Sequence, residues 1–294
     1  MSVALETTGL AKRYGRTWAL RDCTLSVPHG RVAAVVGPNG AGKTTLMRLA
    51  VGLRRPTRGS VSVFGQAPRD DAETLARVGF VAQETPLYRD LTVADHLELG
   101  RRLNGDRWDP MSASERLAKL SIPLERRTGE LSGGQRAQVS LTMALAKRPE
   151  LLVLDEPVAS LDPLARRTFL AELMGEVAAS ELTVLLSSHV IADLEHRCDY
   201  LVILSDSRVQ VLGDVDDLLA SHAVLIGPAD GPAPDGVTVV TSQRTERQRS
   251  LTVRMDGPMR SPGWETHPIS LEDLVLAYLG APDACALPGP EDST

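Results

Sequence analysis

Gly37-Pro-Asn-Gly-Ala-Gly-Lys-Thr44 is the stretch on which the reading of this chain turns. It follows Arg31-Val-Ala-Ala-Val-Val36, an apolar, β-branched run, and leads into Thr44-Thr-Leu-Met-Arg-Leu-Ala50, whose apolar residues recur at helical spacing. The order is strand, glycine loop, helix. In that context the pattern G-x-x-x-x-G-K-[ST] has a mechanism. Gly37, Gly40 and Gly42 permit a tight turn whose backbone N–H groups face inward, and the helix N-terminus adds its dipole, so the loop is built to wrap phosphate. Lys43 would reach the β- and γ-phosphates and the Thr44 hydroxyl would take a place on Mg²⁺, with Pro38, Asn39, Ala41 and Thr45 completing the nucleotide-binding stretch. The competing reading is a glycine turn that merely joins two elements, and composition weighs against it. Of 32 basic residues only Lys12, Lys43, Lys119 and Lys147 are lysines, so the chain uses Arg almost everywhere else. A compact ammonium fits inside a phosphate-wrapping loop where a planar guanidinium does not.

A second apolar run, Leu151-Leu-Val-Leu154, ends in Asp155-Glu156-Pro157, and a third, Leu182-Thr-Val-Leu-Leu186, ends in Ser187-Ser188-His189. Wholly apolar strands suit a parallel sheet covered on both faces, with ligands at the carboxyl ends of the strands. At that edge Asp155 would face Mg²⁺, Glu156 would act near the γ-phosphate as base or positioner of attacking water, and His189 could bond the γ-phosphate or that water. An acidic turn or a lone histidine after a strand is ordinarily structural; beside the glycine loop both become candidates for chemistry. A further glycine-rich word, Leu131-Ser-Gly-Gly-Gln135, opens another helical run that stops at Pro149. Alone it is only a helix start with a Ser cap.

Taken together and in order, these residues resemble the ATP-binding subunit of an ABC transporter. Gly37 to Thr44 is similar to the Walker A loop, Leu131 to Gln135 to the LSGGQ signature, Leu151 to Glu156 to Walker B, Ser160-Leu161-Asp162 to the D-loop, and His189 to the switch histidine. Tyr14 resembles the aromatic that stacks on adenine, and Gln83 the glutamine that senses Mg²⁺ or water and faces the membrane partner. The resemblance covers roughly the first 215 residues. It implies two ATP-binding subunits closing head to tail, most simply as a homodimer, with Ser132, Gly133 and Gly134 of one meeting the γ-phosphate held by the other. It also implies a separate integral membrane permease. No arginine finger is evident.

The fold class expected is α/β: a P-loop NTPase (RecA-like) core with an antiparallel β subdomain and an α-helical signature subdomain, plus a small α+β C-terminal extension. Residues 1–215 would form the ATP-binding domain, with the helical part at about 85–135 and Thr92 capping its first helix. A stretch of helical spacing runs from Thr92 to Ser121, and Glu84 to Asp90 are candidate contacts for a coupling helix of the permease. Residues 216–280 would form the accessory domain. In it, turn-rich Ile226 to Gly236 precedes two strands, Val237–Thr241 and Ser250–Met255, joined by a charged stretch from Arg244 to Arg249. A helix capped by Ser270 follows, and 281–294 read as a disordered tail.

Composition sets the remaining bounds. No run approaches the roughly 18–20 apolar residues of a membrane span, and the N-terminus lacks the basic and apolar regions of a signal peptide. A cytoplasmic chain is expected, peripheral on the inner face of the membrane through the permease. Cys23, Cys198 and Cys285 have neither metal spacing nor even pairing, so they read as reduced packing residues. The formal charge of −6, one Walker A loop and no long heptad run count against a nucleic-acid-acting or translation-type ABC ATPase. Intact Glu156 and His189 count against a regulatory subunit without turnover. The ending of the chain and Pro86-Leu-Tyr-Arg-Asp-Leu-Thr-Val93 resemble ATPases serving exporters of drugs or antibiotics, with solute import as the alternative.

Overall fold

The computed structural model describes residues 2–68, 72–84, 86–260 and 262–287. The chain opens with β1 (Val3–Tyr14), β2 (Thr17–Pro28) and β3 (Val32–Val36), then α1 (Lys43–Ala50), β4 (Arg58–Val63), α2 (Ala72–Arg77) and β5 (Val78–Val81). A helical section follows: α3 (Val93–Asn104), α4 (Pro110–Lys119) and α5 (Gly133–Leu145). The chain then returns through β6 (Leu151–Leu154), α6 (Pro163–Ala179), β7 (Thr183–Ser187), β8 (Tyr200–Ser205) and β9 (Arg208–Asp214). It closes with α7 (Val215–Ala220), β10 (His222–Pro228), β11 (Asp235–Arg244), β12 (Gln248–Arg260), β13 (Glu265–Pro268) and α8 (Leu271–Leu279).

The central sheet has the order β5-β6-β7-β3-β8-β9, parallel except for β9. Its inner strands are buried along their whole length, which is why they read as unbroken apolar runs. The period of two then sorts their side chains. Ala33, Val35, Val153, Leu185 and Val202 face α1 and the antiparallel sheet β2-β1-β4, whereas Ala34, Val36, Leu152, Leu154, Leu186 and Ile203 face α5, α6 and α8. Because β6, β7 and β3 are neighbours, the loops leaving their carboxyl ends emerge side by side.

Local signals place the helices. Thr92 caps α3 in a reciprocal box with Asp95, and Ser132 caps α5 in another with Gln135. Asp109 and Asp162 cap α4 and α6, each followed by Pro at the first helical position. The stretch from Thr92 to Ser121 breaks into α3 and α4 at Gly105, whose φ of 54° leaves the right-handed helix. The signature helix runs over Gly133–Leu145, starting two residues earlier than Gln135 and ending before Lys147. Buried Arg116 ties this section to α6, donating to Thr142 (3.2 Å), Gln138 (3.0 Å) and Glu176 (3.1 Å).

Beyond β9 the antiparallel sheet β11-β12-β10-β13 has four strands where the sequence leads to two, β10 and β13 being the additions, and other differences follow. Ile226, Gly227 and Pro228 belong to β10 rather than to a turn, because the Trp264 ring lies 2.4 Å from where a Cβ on residue 227 would stand and only glycine admits it. Both expected strands are longer, and the charged connection contracts to a tight turn in which Thr245 N–H donates to Gln248 O at 2.9 Å. Finally, 281–287 are not a disordered tail. Ala286 pairs with Val211 on the β9 edge, and the Gln210 amide donates to the carbonyls of Ala281 (2.8 Å) and Ala284 (2.9 Å). Residues 288–294 lie outside the described residues, as does Thr85 within the Glu84–Asp90 segment. Ser270 caps α8 by accepting from Asp273 N–H, and α8 joins the buried cluster of the central sheet. Cys23 is buried, Cys198 half-buried and Cys285 exposed, and all are free.

Candidate nucleotide site

The loop after β3 needs its glycines. A Cβ at Gly37 would fall 2.2 Å from Leu204 O, and one at Gly42 2.4 Å from Ala19 O; Gly40 and Gly42 also take positive φ, 84° and 110°. The backbone can therefore turn tightly while packed against Leu204 and the β2 segment at Ala19 and Leu20. Pro38, Asn39 and Gly40 are exposed at its mouth, Ala41 is buried and Thr45 half-buried. Lys43 is only 5% exposed, and its ammonium lies inside the loop, donating to Gly37 O at 2.8 Å and Pro38 O at 3.3 Å and standing 3.5 Å from Glu156 Oε1.

The β6 and β7 ends complete the site. Thr44 Oγ1 donates to Asp155 Oδ1 at 3.0 Å, and Ser187 Oγ donates to the same oxygen at 3.1 Å while accepting Glu156 N–H at 2.8 Å. Burial pushes the Asp155 carboxyl above the usual carboxylate range, and the two hydroxyl donors oppose that shift. Glu156 sits at φ 46°, a sharp turn that re-aims its side chain away from the strand direction. Its carboxylate gathers three groups: the Lys43 ammonium, His189 Nδ1 at 3.3 Å and Gln83 Nε2 at 3.5 Å. Residues far apart in sequence thus converge on one carboxylate. Ser187, read from the sequence only as a strand end, is the participant missed there. Its signal was a hydroxyl at the last buried position of an apolar strand beside Asp155-Glu156.

Tyr14 lies elsewhere on the same side, at the β1–β2 turn. It is paired with Thr17 and 44% exposed, with the Lys12 ammonium 5.3 Å from its ring centre. It belongs to the hairpin whose Ala19 and Leu20 press against Gly42. The signature is separate. Leu131 is buried, Ser132 and Gln135 cap α5, and Gly134 allows α5 to approach α6, since a Cβ there would come 2.9 Å from the Ala165 Cβ. Gly133 lies near Leu161 and Ser160, and Asp162 caps α6, so signature and D-loop stand side by side. No described hydrogen bond or ion pair joins residues 131–135 or 160–162 to the glycine loop.

The residues present fit a nucleotide with its divalent cation. The loop turns tightly against Leu204 and Ala19 with the Lys43 ammonium inside it, and Thr44 and Asp155 supply hard oxygen donors.

A glycine cradle at a strand-to-helix turn, with acids and a histidine on the neighbouring strand ends, defines a P-loop nucleoside-triphosphatase site. Comparison with known proteins narrows the class. The family model described as "ABC transporter" matches residues 20–159. The Nod factor export ATP-binding protein I of Burkholderia orbicola (strain AU 1054) is 35% identical over 95% of this chain and 98% of its own length. The Fe(3+) ions import ATP-binding protein FbpC 2 of Rhodococcus jostii (strain RHA1) is 32% identical over 90% of this chain and 76% of its own. A solved ATP-binding subunit of an ABC transporter superposes with a TM-score of 0.66 at 30% identity, covering 74% of this chain and 92% of that one. The chain belongs to the ABC transporter family as one of its ATP-binding subunits, which are ATPases.

Proposed function

We propose that this chain hydrolyses Mg²⁺·ATP within a homodimer whose signatures act in trans, and that the cycle drives a separate membrane permease. The observation that carries it is the convergence of Lys43, Gln83 and His189 on Glu156 beside the glycine cradle, with the signature standing apart from that cradle. Gly37 to Thr45 hold the phosphates, Tyr14 stacks on the base, and Thr44, Asp155 and Gln83 hold the cation. Bound Mg²⁺ would neutralise phosphate charge. Glu156 orients and deprotonates the attacking water, and His189 aligns it with the γ-phosphate for in-line displacement. Leu131, Ser132, Gly133, Gly134 and Gln135 of the second subunit offer a helix N-terminus and backbone N–H groups to the charge that develops there, with Ser160, Leu161 and Asp162 at the same interface.

Residues 1–215 form the ATP-binding unit and 216–280 the accessory unit. The permease reading is supported by a groove of ≈ 730 Å³ lined by Arg48, Phe80, Ala82, Pro86, Met143 and Lys147, among others, between the core and the helical section. It adjoins the segment from Glu84 to Asp90, where Tyr88 is 65% exposed. No helix among the described residues is long and apolar enough to cross a membrane, so a membrane-spanning partner would supply the path. The chain would then sit peripherally on the cytoplasmic face.

Export, with a drug- or antibiotic-like compound as the proposed cargo, is favoured over import because the Nod factor export relative matches over nearly the full length of both chains. Import stays the second reading, since a sulfate/thiosulfate import ATP-binding protein CysA of Mesorhizobium japonicum (strain LMG 29417 / CECT 9101 / MAFF 303099) is 34% identical over 64% of its own length. Purification of the tagged chain from gently solubilised membranes tests the assignment: a multi-span protein should accompany it in stoichiometric amount. Recovery with ribosomes or nucleic acid instead would remove the transport function.

A further inference from the structure

The segment behind His189 is held by two helices. Ser188-His189-Val190 leads into a 3₁₀ turn, Ile191–Asp193, followed by buried Leu194. The first is α6. Its Arg166, whose N–H donates to the D-loop cap Asp162 (2.9 Å to the carbonyl), pairs with Asp193 at 3.4 Å, with both side chains less than a quarter exposed. The second is α8, which packs against the turn. Its apolar face, Leu271, Leu274, Val275 and Tyr278, shares one buried cluster with Leu194, and Ile191 packs on that cluster.

The far end of α8 is itself anchored. The Tyr278 hydroxyl and His222 Nε2 are 2.8 Å apart, and the Gln210 amide donates to Tyr278 O at 2.7 Å. The helix therefore behaves as a fixed bar beneath the turn rather than as a loosely attached end. His189, by contrast, has a side chain 47% exposed, and Glu156 is its one polar contact among the described residues. Apart from that contact its ring is placed by the backbone behind it, and that backbone rests on α8 as well as on α6.

We propose that α8 is a positioning element for His189: the C-terminal part of the chain sets the rate of hydrolysis through the Ile191–Leu194 turn without touching nucleotide. This rests on the reading of His189 as the residue that aligns the attacking water. If α8 served only to bury apolar surface, loosening its contact with the turn would lower stability and leave chemistry unchanged. If it positions His189, loosening the contact lowers turnover specifically.

The test uses the full chain with Val275→Ala on the helix and Ile191→Ala on the half-buried turn, each also made in a His189→Ala background. Turnover at saturating Mg²⁺·ATP, binding of a fluorescent ATP analogue and thermal unfolding are measured for all. Either variant is expected to lower turnover at least fivefold with nucleotide affinity within twofold, and to cause no further loss once His189 is absent. Amide hydrogen exchange at 188–198 should quicken in both, while the P-loop stays protected. Equal fractional losses with and without His189, or affinity falling in step with turnover, would overturn the proposal. So would unchanged turnover in both variants, and if His189→Ala had itself abolished hydrolysis the site reading would survive. Undiminished turnover in His189→Ala would instead remove the site reading on which the inference stands. Should Val275→Ala fail to fold, Ile191→Ala carries the test alone.

Discussion

Replacing Glu156 by Gln should do two opposite things. The carboxylate now holds the Lys43 ammonium at 3.5 Å, in a pocket where the two side chains are 5% and 12% exposed. Incoming phosphate must break that contact to recruit Lys43. The gross Coulomb attraction at this separation is about 5 kcal/mol at an effective dielectric of 20. Most of it is offset by desolvation, leaving a net about 1.5–3 kcal/mol, the size of a hydrogen bond to a charged group. The substituted amide keeps the shape of the side chain and gives up its charge, so ATP binding should tighten by about 10- to 150-fold. The same change removes the base, and turnover should fall by about 10²- to 10⁴-fold. Titration with a fluorescent ATP analogue gives the first quantity and single-turnover hydrolysis of labelled ATP the second. Binding weaker than wild type would refute the tethering of Lys43 by Glu156, and hydrolysis within threefold of wild type would remove Glu156 from water activation.

Other perturbations separate the parts of the site. Because burial raises the Asp155 carboxyl, the native state binds more protons than the unfolded chain between the ordinary and the raised value, and stability falls as pH rises through that window. Asp155→Asn should therefore raise the melting temperature of nucleotide-free protein at pH 7, with the gain shrinking on acidification below the window, while Mg²⁺-dependent turnover is lost. A melting temperature lowered at pH 7 would contradict this. Ser187→Ala leaves Asp155 with one hydroxyl donor and Glu156 N–H without its partner, so stability should drop by roughly 1.5–3 kcal/mol and half-saturation should need more Mg²⁺; denaturant melts and a Mg²⁺ titration of activity check both. Gly134→Ala places a methyl 2.9 Å from the Ala165 Cβ and should cost about 1–3 kcal/mol by overpacking α5 against α6. The same denaturant melt should show no loss if the helices can part freely.

Where the signal was local, the sequence was readable. The glycine loop, the apolar strands and the caps Thr92, Ser132 and Ser270 each depend on a few adjacent residues, and the structure has a tight turn, buried strands and helix caps at those positions. What could not be read depended on distant partners. Gly227 looks like a turn residue until Trp264, far along the chain, covers it within a strand. Residues 281–287 have a loop-like composition, yet their carbonyls are collected by Gln210 and their strand edge by Val211. Ser187 is an ordinary strand end until β6 is placed beside β7. The contact between α8 and the turn after His189 is of the same kind, since nothing in either segment alone names the other.

The claim that ATP closes two copies of this chain, with each signature over the other's P-loop, is tested most directly by the mass of the Glu156→Gln protein in solution. Light scattering on the purified chain, 31.6 kDa as a monomer, is measured with and without saturating Mg²⁺·ATP. The account predicts that nucleotide doubles the mass and that adding Ser132→Arg abolishes the doubling while leaving ATP binding intact. A mass that stays monomeric with the P-loop saturated, or a dimer indifferent to Ser132→Arg, would contradict it.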